Sequence, residues 1–231
     1  MRCVRTLMAR RPETPGIVPD WPAPSRVHAF QSDRASGDLE ALREALDLPA
    51  EPCWLTQVHG IEVARPDAGE RGAVADAAVT AQAGIVLAIR TADCLPVLLC
   101  DRAGTVVGAA HAGWRGMAAG VIEATVAAMA VEPGGIIAWL GPAISQQAFE
   151  VGPEVRAAFV DSDPGAESAF RPGAGDRHHG DLVALARRRL HAIGITSISG
   201  GEWCTATDAA RFYCYRRDGE TGRMASLVWL G

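Results

Sequence analysis

Apolar positions follow two kinds of pattern along the chain. Apolar runs typical of buried strands are residues 84–101 (broken at 91–93), 105–113 and 135–145, and strands are also predicted in residues 195–204 and 222–230. Helical spacing of apolar positions occurs in residues 38–48, 117–131, 153–160 and 180–194, and Gly194 is suited to end the last of these helices. Because strands and helices are interspersed without a strict strand–helix–strand rhythm, the pattern predicts an α+β fold with mixed β-sheets.

Four other segments give more local predictions. Residues 53–60 alternate and end at a glycine, which predicts a strand running into a turn, with residues 61–66 as its hairpin partner. The polar, glycine-containing segment 215–223 favours a solvated hairpin, and His178-His179 falls among glycine and aspartate and favours a loop. The arginine-rich residues 1–11 are interpreted as a frayed terminus or an edge strand.

Composition is that of an ordinary globular protein. The 231 residues, 48% hydrophobic and 21% charged, suffice for one large domain, which we expect to span residues 1–231. A net charge of −5, with no basic run longer than Arg187–Arg189, argues against nucleic-acid binding. No apolar run approaches the roughly 18 residues of a membrane helix. Six cysteines without a Cys-x-x-Cys pair, and no secretory segment after Met1, predict reduced thiols and a cytoplasmic protein.

Two residue types are absent from the sequence. All 22 basic residues other than histidine are arginine, so a Schiff-base lysine and a Walker-type phosphate loop are excluded. The chain also has no asparagine, which excludes N-glycosylation and a Cys-His-Asn triad.

Three side chains stand at or beside the ends of predicted strands: His59 in QVHG, Cys94 in ADC and His111 in HAGW. Two imidazoles and one thiolate are a recognised ligand set for zinc, with a fourth position left for water. Since the ligands are far apart in sequence and no close cysteine pair exists, such a site would be catalytic. The spacing alone leaves open that all three are structural residues.

A second group of residues indicates anion binding. Arg115 lies between two glycines directly ahead of the predicted helix 117–131, where a guanidinium and free backbone N–H groups suit a phosphate. Arg216 and Arg217 form another cationic cluster that belongs either to a solvated hairpin or to the same anion site. Asp76 and Asp93 lie beside the suspected metal centre, where either carboxylate could orient an imidazole.

These segments resemble a known family, the bacterial laccase-domain or polyphenol oxidase-like proteins that are described as purine nucleoside phosphorylases. The matching stretches run in order from about residue 53 to the C-terminus and are WLTQVHG, ADAAVT, IRTADCLPVLLCD, GAAHAGWRGM, GPAIS, FEVG and YRRDGETGRMA. Residues 1–50 are the divergent part: AFQSDRASGDLEALREAL is short and lacks the family's Gly-Gly-rich and Asn-containing stretches. Cys214 also stands where the family often has serine.

The resemblance implies a specific site and activity. His59, Cys94 and His111 would bind Zn²⁺, with Cu²⁺ as the alternative metal. The substrates would be adenosine, inosine or methylthioadenosine together with phosphate, with adenosine deamination as a side activity. The fold would consist of facing sheets with helices outside, similar to the cysteine-hydrolase-like deamidase toxins, and the protein would form a homodimer.

Three other functions stay open at this point. A copper-dependent phenol oxidase could use the same two histidines and cysteine, although a full laccase needs many more imidazoles than the six histidines of this chain. A metal-free cysteine hydrolase would use Cys94 as nucleophile and His111 as base. A non-catalytic binding module would turn over no nucleoside.

Overall fold

The computed structural model describes residues 15–231, which form strands and helices in an interspersed order. The strands are β1 (Val27–Gln31), β2 (Val63–Ala64), β3 (Ala77–Thr80), β4 (Leu87–Thr91), β5 (Leu95–Asp101), β6 (Val107–Ala112), β7 (Ile136–Leu140), β8 (Glu150–Val151), β9 (Phe170–Pro172), β10 (His178–Gly180), β11 (Ser197–Gly200) and β12 (Met224–Leu230). The helices are α1 (Leu39–Leu46), α2 (Trp114–Ala119), α3 (Val121–Met129), α4 (Pro153–Val160), α5 (Leu182–Ala192) and α6 (Tyr215–Asp218), and short 3₁₀ turns are Arg34–Ser36, Pro66–Ala68, Pro133–Gly135 and Pro164–Ala169.

The largest sheet has six strands in the order β11-β7-β5-β6-β3-β2. Its outer pairs β11–β7 and β2–β3 are parallel, and the pairs between them are antiparallel, so the sheet is mixed. Every residue of β5 is buried. Leu95, Val97 and Leu99 belong to the core on one face, whereas Leu98 and Cys100 belong to the core on the other. A strand covered on both faces reads as a continuous apolar run, which explains LPVLLCD.

Two further layers cover this sheet. The three-stranded sheet β1-β12-β4 packs against one face, with Leu87 and Val228 meeting Ile137 and Trp139 in a shared core. The helices α2, α3, α4 and α5 contribute to the core on the opposite face. Leu46 of α1 packs outside the three-stranded sheet. The predicted α+β fold with mixed, facing sheets and helices outside is therefore confirmed. A small third sheet, β8-β10-β9, lies beside α4.

The predicted helix 117–131 is in fact two helices. Gly120 has φ +106°, a left-handed conformation that glycine adopts without strain, and its N–H closes α2 on the carbonyls of Gly116 and Met117. The chain then restarts as α3. Arg115 consequently lies within α2 rather than ahead of a helix.

Three local predictions are wrong. Residues 53–60 and 61–66 do not pair as a hairpin; isolated bridges join Cys53 to Leu87 and Thr56 to Val74, and β2 pairs in parallel with β3. His178 and His179 lie in strand β10 rather than in a loop, because β10 is paired on both sides by β8 and β9. Residues 215–218 form α6 instead of a hairpin arm.

The interpretation of residues 1–11 falls outside the described part of the chain. Within the described part, no helix is both long and apolar enough to cross a membrane.

Candidate metal centre

His59, Cys94 and His111 meet at one end of the six-stranded sheet. Cys94 immediately precedes β5, His111 is near the end of β6, and the pairing of Leu95 with Ala112 brings these two strand ends together. His59 enters from the loop before β2. One candidate ligand atom from each of the three residues lies within 4.8 Å of the other two, and Cys94 Sγ is 3.8 Å from His59 Nε2. Among residues 15–231 this is the one such group of three or more potential metal ligands.

Asp76 holds two of these ligands in place. Its carboxylate is fully buried and lies 2.7 Å from His111 Nδ1. It also accepts hydrogen bonds from the backbone N–H groups of Val58, His59 and Gly60 at 2.7–3.0 Å. These bonds fix the loop in which His59 adopts φ +63°. Because Nδ1 of His111 is bound to Asp76, Nε2 is the ring nitrogen left for a metal, as in carboxylate–histidine–metal arrangements.

The local hydrogen bonds also set the protonation states of the cluster. Burial raises the pKa of Asp76, but hydrogen bonds from His111 and the backbone N–H groups outweigh burial and lower this pKa to about 2. Burial likewise raises the pKa of Cys94, but hydrogen bonds with His111 and His59 lower it to about 6. Burial lowers the pKa of His111, whereas its bonds to Asp76 and Cys94 raise it to about 9. These shifts describe a Cys94 thiolate beside a protonated His111. The thiolate is the form that binds metals, and a metal bound at His111 Nε2 would displace the proton from that nitrogen.

The donor set fits a zinc ion. One thiolate and two imidazole nitrogens are three protein ligands of the type that zinc prefers, and they leave a further position for water or substrate. Gly113 is packed tightly against them. A Cβ atom at residue 113 would lie 2.9 Å from Cys94 Sγ and 3.0 Å from His59 Cδ2. Glycine at residue 113 therefore lets these two ligands approach closely.

The three ligands line a cavity of about 800 Å³, a volume typical of small-molecule sites. Aromatic side chains in its wall are Trp114, Phe149 and Tyr215, and cationic ones are Arg90, Arg115, Arg216 and Arg223. Arg90 and Arg223 are not among the residues that the sequence pattern indicates. Arg90 could have been found as the one charged residue inside the apolar run GIVLAIRTA. The sequence around Arg223 contains no comparable signal.

The three arginines predicted to bind anions have different surroundings. The Arg115 guanidinium lies 4.6 Å from the centre of the Trp114 ring, and the Arg216 guanidinium lies over Phe149 and donates to the Glu150 carbonyl at 2.9 Å. Both arginines line the cavity. Arg217 is not part of the lining. Its guanidinium donates to the backbone carbonyls of residues 205, 206 and 212 and pairs with the carboxylate of residue 218.

Asp93 also differs from its predicted role. Its carboxylate accepts a hydrogen bond from the Thr205 hydroxyl at 2.6 Å and from the backbone N–H of Arg216 at 2.7 Å. The backbone of Asp93 has φ +100°, a conformation that is rare for residues other than glycine. Asp93 thus links the turn before Cys94 to the start of α6, while Asp76 is the carboxylate that orients an imidazole.

Comparison with known proteins supports one family. Residues 31–231 match the family described as multi-copper polyphenol oxidoreductase laccase. A Pseudomonas aeruginosa protein named purine nucleoside phosphorylase PA4543 is 48% identical over 93% of this chain and 98% of its own length. The Escherichia coli purine nucleoside phosphorylase YfiH is 47% identical over the same shares of the two chains.

Solved structures share the fold. The crystal structure of Neisseria meningitidis protein NMB0706 superposes with a TM-score of 0.88 and 42% identity, covering 93% of this chain and 98% of the other. YlmD from Geobacillus stearothermophilus gives a TM-score of 0.85 at 25% identity, covering 94% and 99%. The protein therefore belongs to the family described as multi-copper polyphenol oxidoreductase laccase.

Proposed function

We propose that this protein is a zinc-dependent purine nucleoside phosphorylase. It acts on adenosine, inosine and methylthioadenosine with phosphate, releases the free base and the sugar 1-phosphate, and deaminates adenosine as a side activity. The observation that carries the proposal is the His59–Cys94–His111 cluster in the wall of an arginine-lined cavity. The names of the relatives that match almost the whole chain support the choice of substrate.

The reaction sets two requirements for the site. The bond between C1′ of the sugar and the purine nitrogen breaks, and its electron pair leaves with the base, which takes up a proton equivalent to the one that hydrogen phosphate loses. An oxygen of the phosphate then forms the new bond to C1′. The site must therefore hold a dianion beside the sugar and must stabilise the negative charge that develops on the base.

The described residues meet both requirements. Arg115 and Arg216 line the cavity, and their guanidinium groups suit the oxygens of a phosphate. Helix α2 has six residues, and its N-terminus is too short a feature to serve as the anion site. We therefore propose that the Arg115 guanidinium binds the anion. Trp114, Phe149 and Tyr215 also line the cavity, where aromatic side chains suit contact with a purine. A zinc ion held by His59, Cys94 and His111 would supply a Lewis acid that withdraws charge. Asp76 orients His111 for that ion.

One assay tests the proposal. Protein of measured metal content is incubated with adenosine and phosphate, and ribose 1-phosphate, adenine and inosine are quantified. We expect ribose 1-phosphate and adenine in equal amounts, with activity lost on chelation and restored by zinc. Phosphate-independent release of the base, or no turnover of any of the three nucleosides, would contradict phosphorolysis.

A metal-free cysteine hydrolase is the second candidate. Asp76, His111 and Cys94 form a carboxylate–imidazole–thiolate chain, and the lowered pKa of Cys94 suits a nucleophile. This candidate predicts full activity after chelation and a covalent adduct on Cys94, whereas the phosphorylase predicts loss of activity after chelation.

A copper-dependent phenol oxidase is the third candidate, because the matching family is described as a multi-copper laccase. A cysteine and two histidines suit one copper ion. The group of metal ligands found within residues 15–231 has three members, which is too few for a multi-copper cluster. Oxygen consumption that rises in proportion to bound copper would support this candidate over the phosphorylase.

A further inference from the structure

The cavity carries more positive charge than one phosphate requires. Four arginines line it, and Asp93 is the one carboxylate among the described lining residues. The Asp93 carboxylate is already bonded to Thr205 and to the backbone of Arg216. Among residues 15–231, none of the four guanidinium groups forms an ion pair with a carboxylate. In a chain of net charge −5, this is a local concentration of unneutralised cations.

Two of the four arginines form a pair on the three-stranded sheet. Arg90 is in β4, and Arg223 directly precedes β12. The register pairs Ala225 with Arg90 and Met224 with Thr91, so Arg223 lies one residue before the first paired position of β12, at the same end of the sheet as Arg90. Both side chains line the same cavity. The two guanidinium groups can therefore reach one ligand.

Neutral partners hold both side chains of this pair. The Arg90 guanidinium lies 5.6 Å from the centre of the Trp54 ring and donates to the Leu55 carbonyl at 3.4 Å. Arg223 donates to the carbonyls of residues 221 and 222 at 2.7 and 3.0 Å. These contacts position the two groups without cancelling their charge. An anion bound in the cavity between two cationic groups is attracted by both of them.

We propose that the Arg90–Arg223 pair is a second anion subsite, and that it binds the 5′-phosphate of a purine nucleoside monophosphate. The proposal rests on the proposed function, which places a purine nucleoside in this cavity and assigns the free phosphate to Arg115 and Arg216. A cavity of about 800 Å³ has room for a nucleoside with a phosphate group at each end of its sugar.

Equilibrium binding tests the subsite without relying on turnover. Calorimetry in phosphate-free buffer compares adenosine 5′-monophosphate with adenosine for the metal-loaded, full-length protein. We expect the monophosphate to bind at least about tenfold tighter at low salt, with the preference shrinking as salt is added. The double variant Arg90→Gln/Arg223→Gln should lose this preference and keep its affinity for adenosine. The control Arg102→Gln removes an exposed arginine at the far end of β5 and should change neither affinity.

Three results would overturn the subsite. They are equal affinities for the two ligands in the unmodified protein, equal weakening of both in the double variant, and a preference that persists in the double variant but disappears in Arg115→Gln. The first comparison needs no variant to fold. If inorganic phosphate competes for the pair while the monophosphate binds no tighter than adenosine, the pair binds free phosphate and the proposal fails.

The phosphorolysis assay is run in parallel and separates this inference from the proposed function. Tight binding of the monophosphate without turnover of adenosine supports the subsite and contradicts the phosphorylase. Turnover of adenosine without a preference for the monophosphate contradicts the subsite alone.

Discussion

The two sides of the cavity are built differently. On the metal side, His111 and Asp76 are buried, and the Asp76 carboxylate bonds to His111 and to the backbone N–H groups of residues 58–60. On the cationic side, Arg90, Arg115 and Arg216 are exposed and are held by ring faces and backbone carbonyls. The metal side is therefore preorganised, whereas the cationic side can adjust to the anion that it binds. Substitutions should reflect this difference, with larger effects on the metal side.

Loss of the thiolate should have the largest effect. Cys94→Ala removes one of three proposed ligands, so we expect loss of stoichiometric metal and a fall in phosphorolysis of at least about a thousandfold, since metal catalysis supplies several kcal/mol. Metal analysis and steady-state kinetics provide the measurement. Cys100→Ala is the control, because Cys100 is buried between the two larger sheets, at the end of β5 that lies away from Cys94. Full activity of Cys94→Ala would remove the thiolate from the mechanism.

Removal of the charge on Asp76 should come next. Asp76→Asn leaves the loop N–H groups and His111 without their carboxylate, and we expect metal affinity to fall by about 10–100-fold. Stability should also fall by about 2–4 kcal/mol, since a buried charged acceptor is lost. Metal titration and denaturant unfolding measure the two effects. Asp101→Asn is the control, because Asp101 is another buried carboxylate and accepts hydrogen bonds from Thr105 and Val106. Its substitution should lower stability and leave metal affinity unchanged.

Crowding the ligands should have a smaller effect. Gly113 has φ −63° and ψ 158°, which alanine adopts freely, so Gly113→Ala tests steric contact alone. Its Cβ would press on Cys94 and His59, and we expect about a tenfold loss of metal affinity, in line with overpacking costs of 1–3 kcal/mol. Competition with a chromogenic chelator measures this loss. Gly134→Ala, with open space around its Cβ, should bind metal normally. Unchanged affinity in Gly113→Ala would show that the ligand cluster is not rigid.

The smallest effect is expected on the cationic side. Arg115→Gln should raise the KM for phosphate by about fivefold, since an exposed charge contributes about 1 kcal/mol, and should leave metal content unchanged. Initial rates at varied phosphate measure the change, and Arg102→Gln provides the control for a lost surface charge. A fall in kcat at unchanged KM would place Arg115 in the chemical step instead of in phosphate binding.

The contrast between the two sides also explains what the sequence could predict. His59, Cys94 and His111 stand beside apolar runs that predict strands, and these runs also predict the α+β fold, because a continuous apolar run indicates a buried strand. Asp76 was predicted beside an imidazole, but its bonds to the loop N–H groups depend on tertiary packing. Those bonds replace the hairpin predicted for residues 53–66.

The cationic side gives a weaker signal because exposed arginines are common along any chain, and only the tertiary packing decides which of them line the cavity. The sequence pattern does not distinguish Arg217 from Arg216, yet in the one-turn helix α6 the Arg217 guanidinium donates to backbone carbonyls. Arg223 reaches the cavity through the pairing of β12 with β4, which no local pattern reveals.

The central claim is that His59, Cys94 and His111 bind one zinc ion, and X-ray absorption spectroscopy of the bound metal tests it most directly. Protein purified without added metal is first analysed for its metal content, and the scattering shell around that metal is then measured. We expect one equivalent of zinc with one sulfur at about 2.3 Å and two imidazole nitrogens at about 2.0 Å, and loss of the sulfur contribution in Cys94→Ser. A shell without sulfur in the unmodified protein, or one unchanged by Cys94→Ser, would contradict the metal centre.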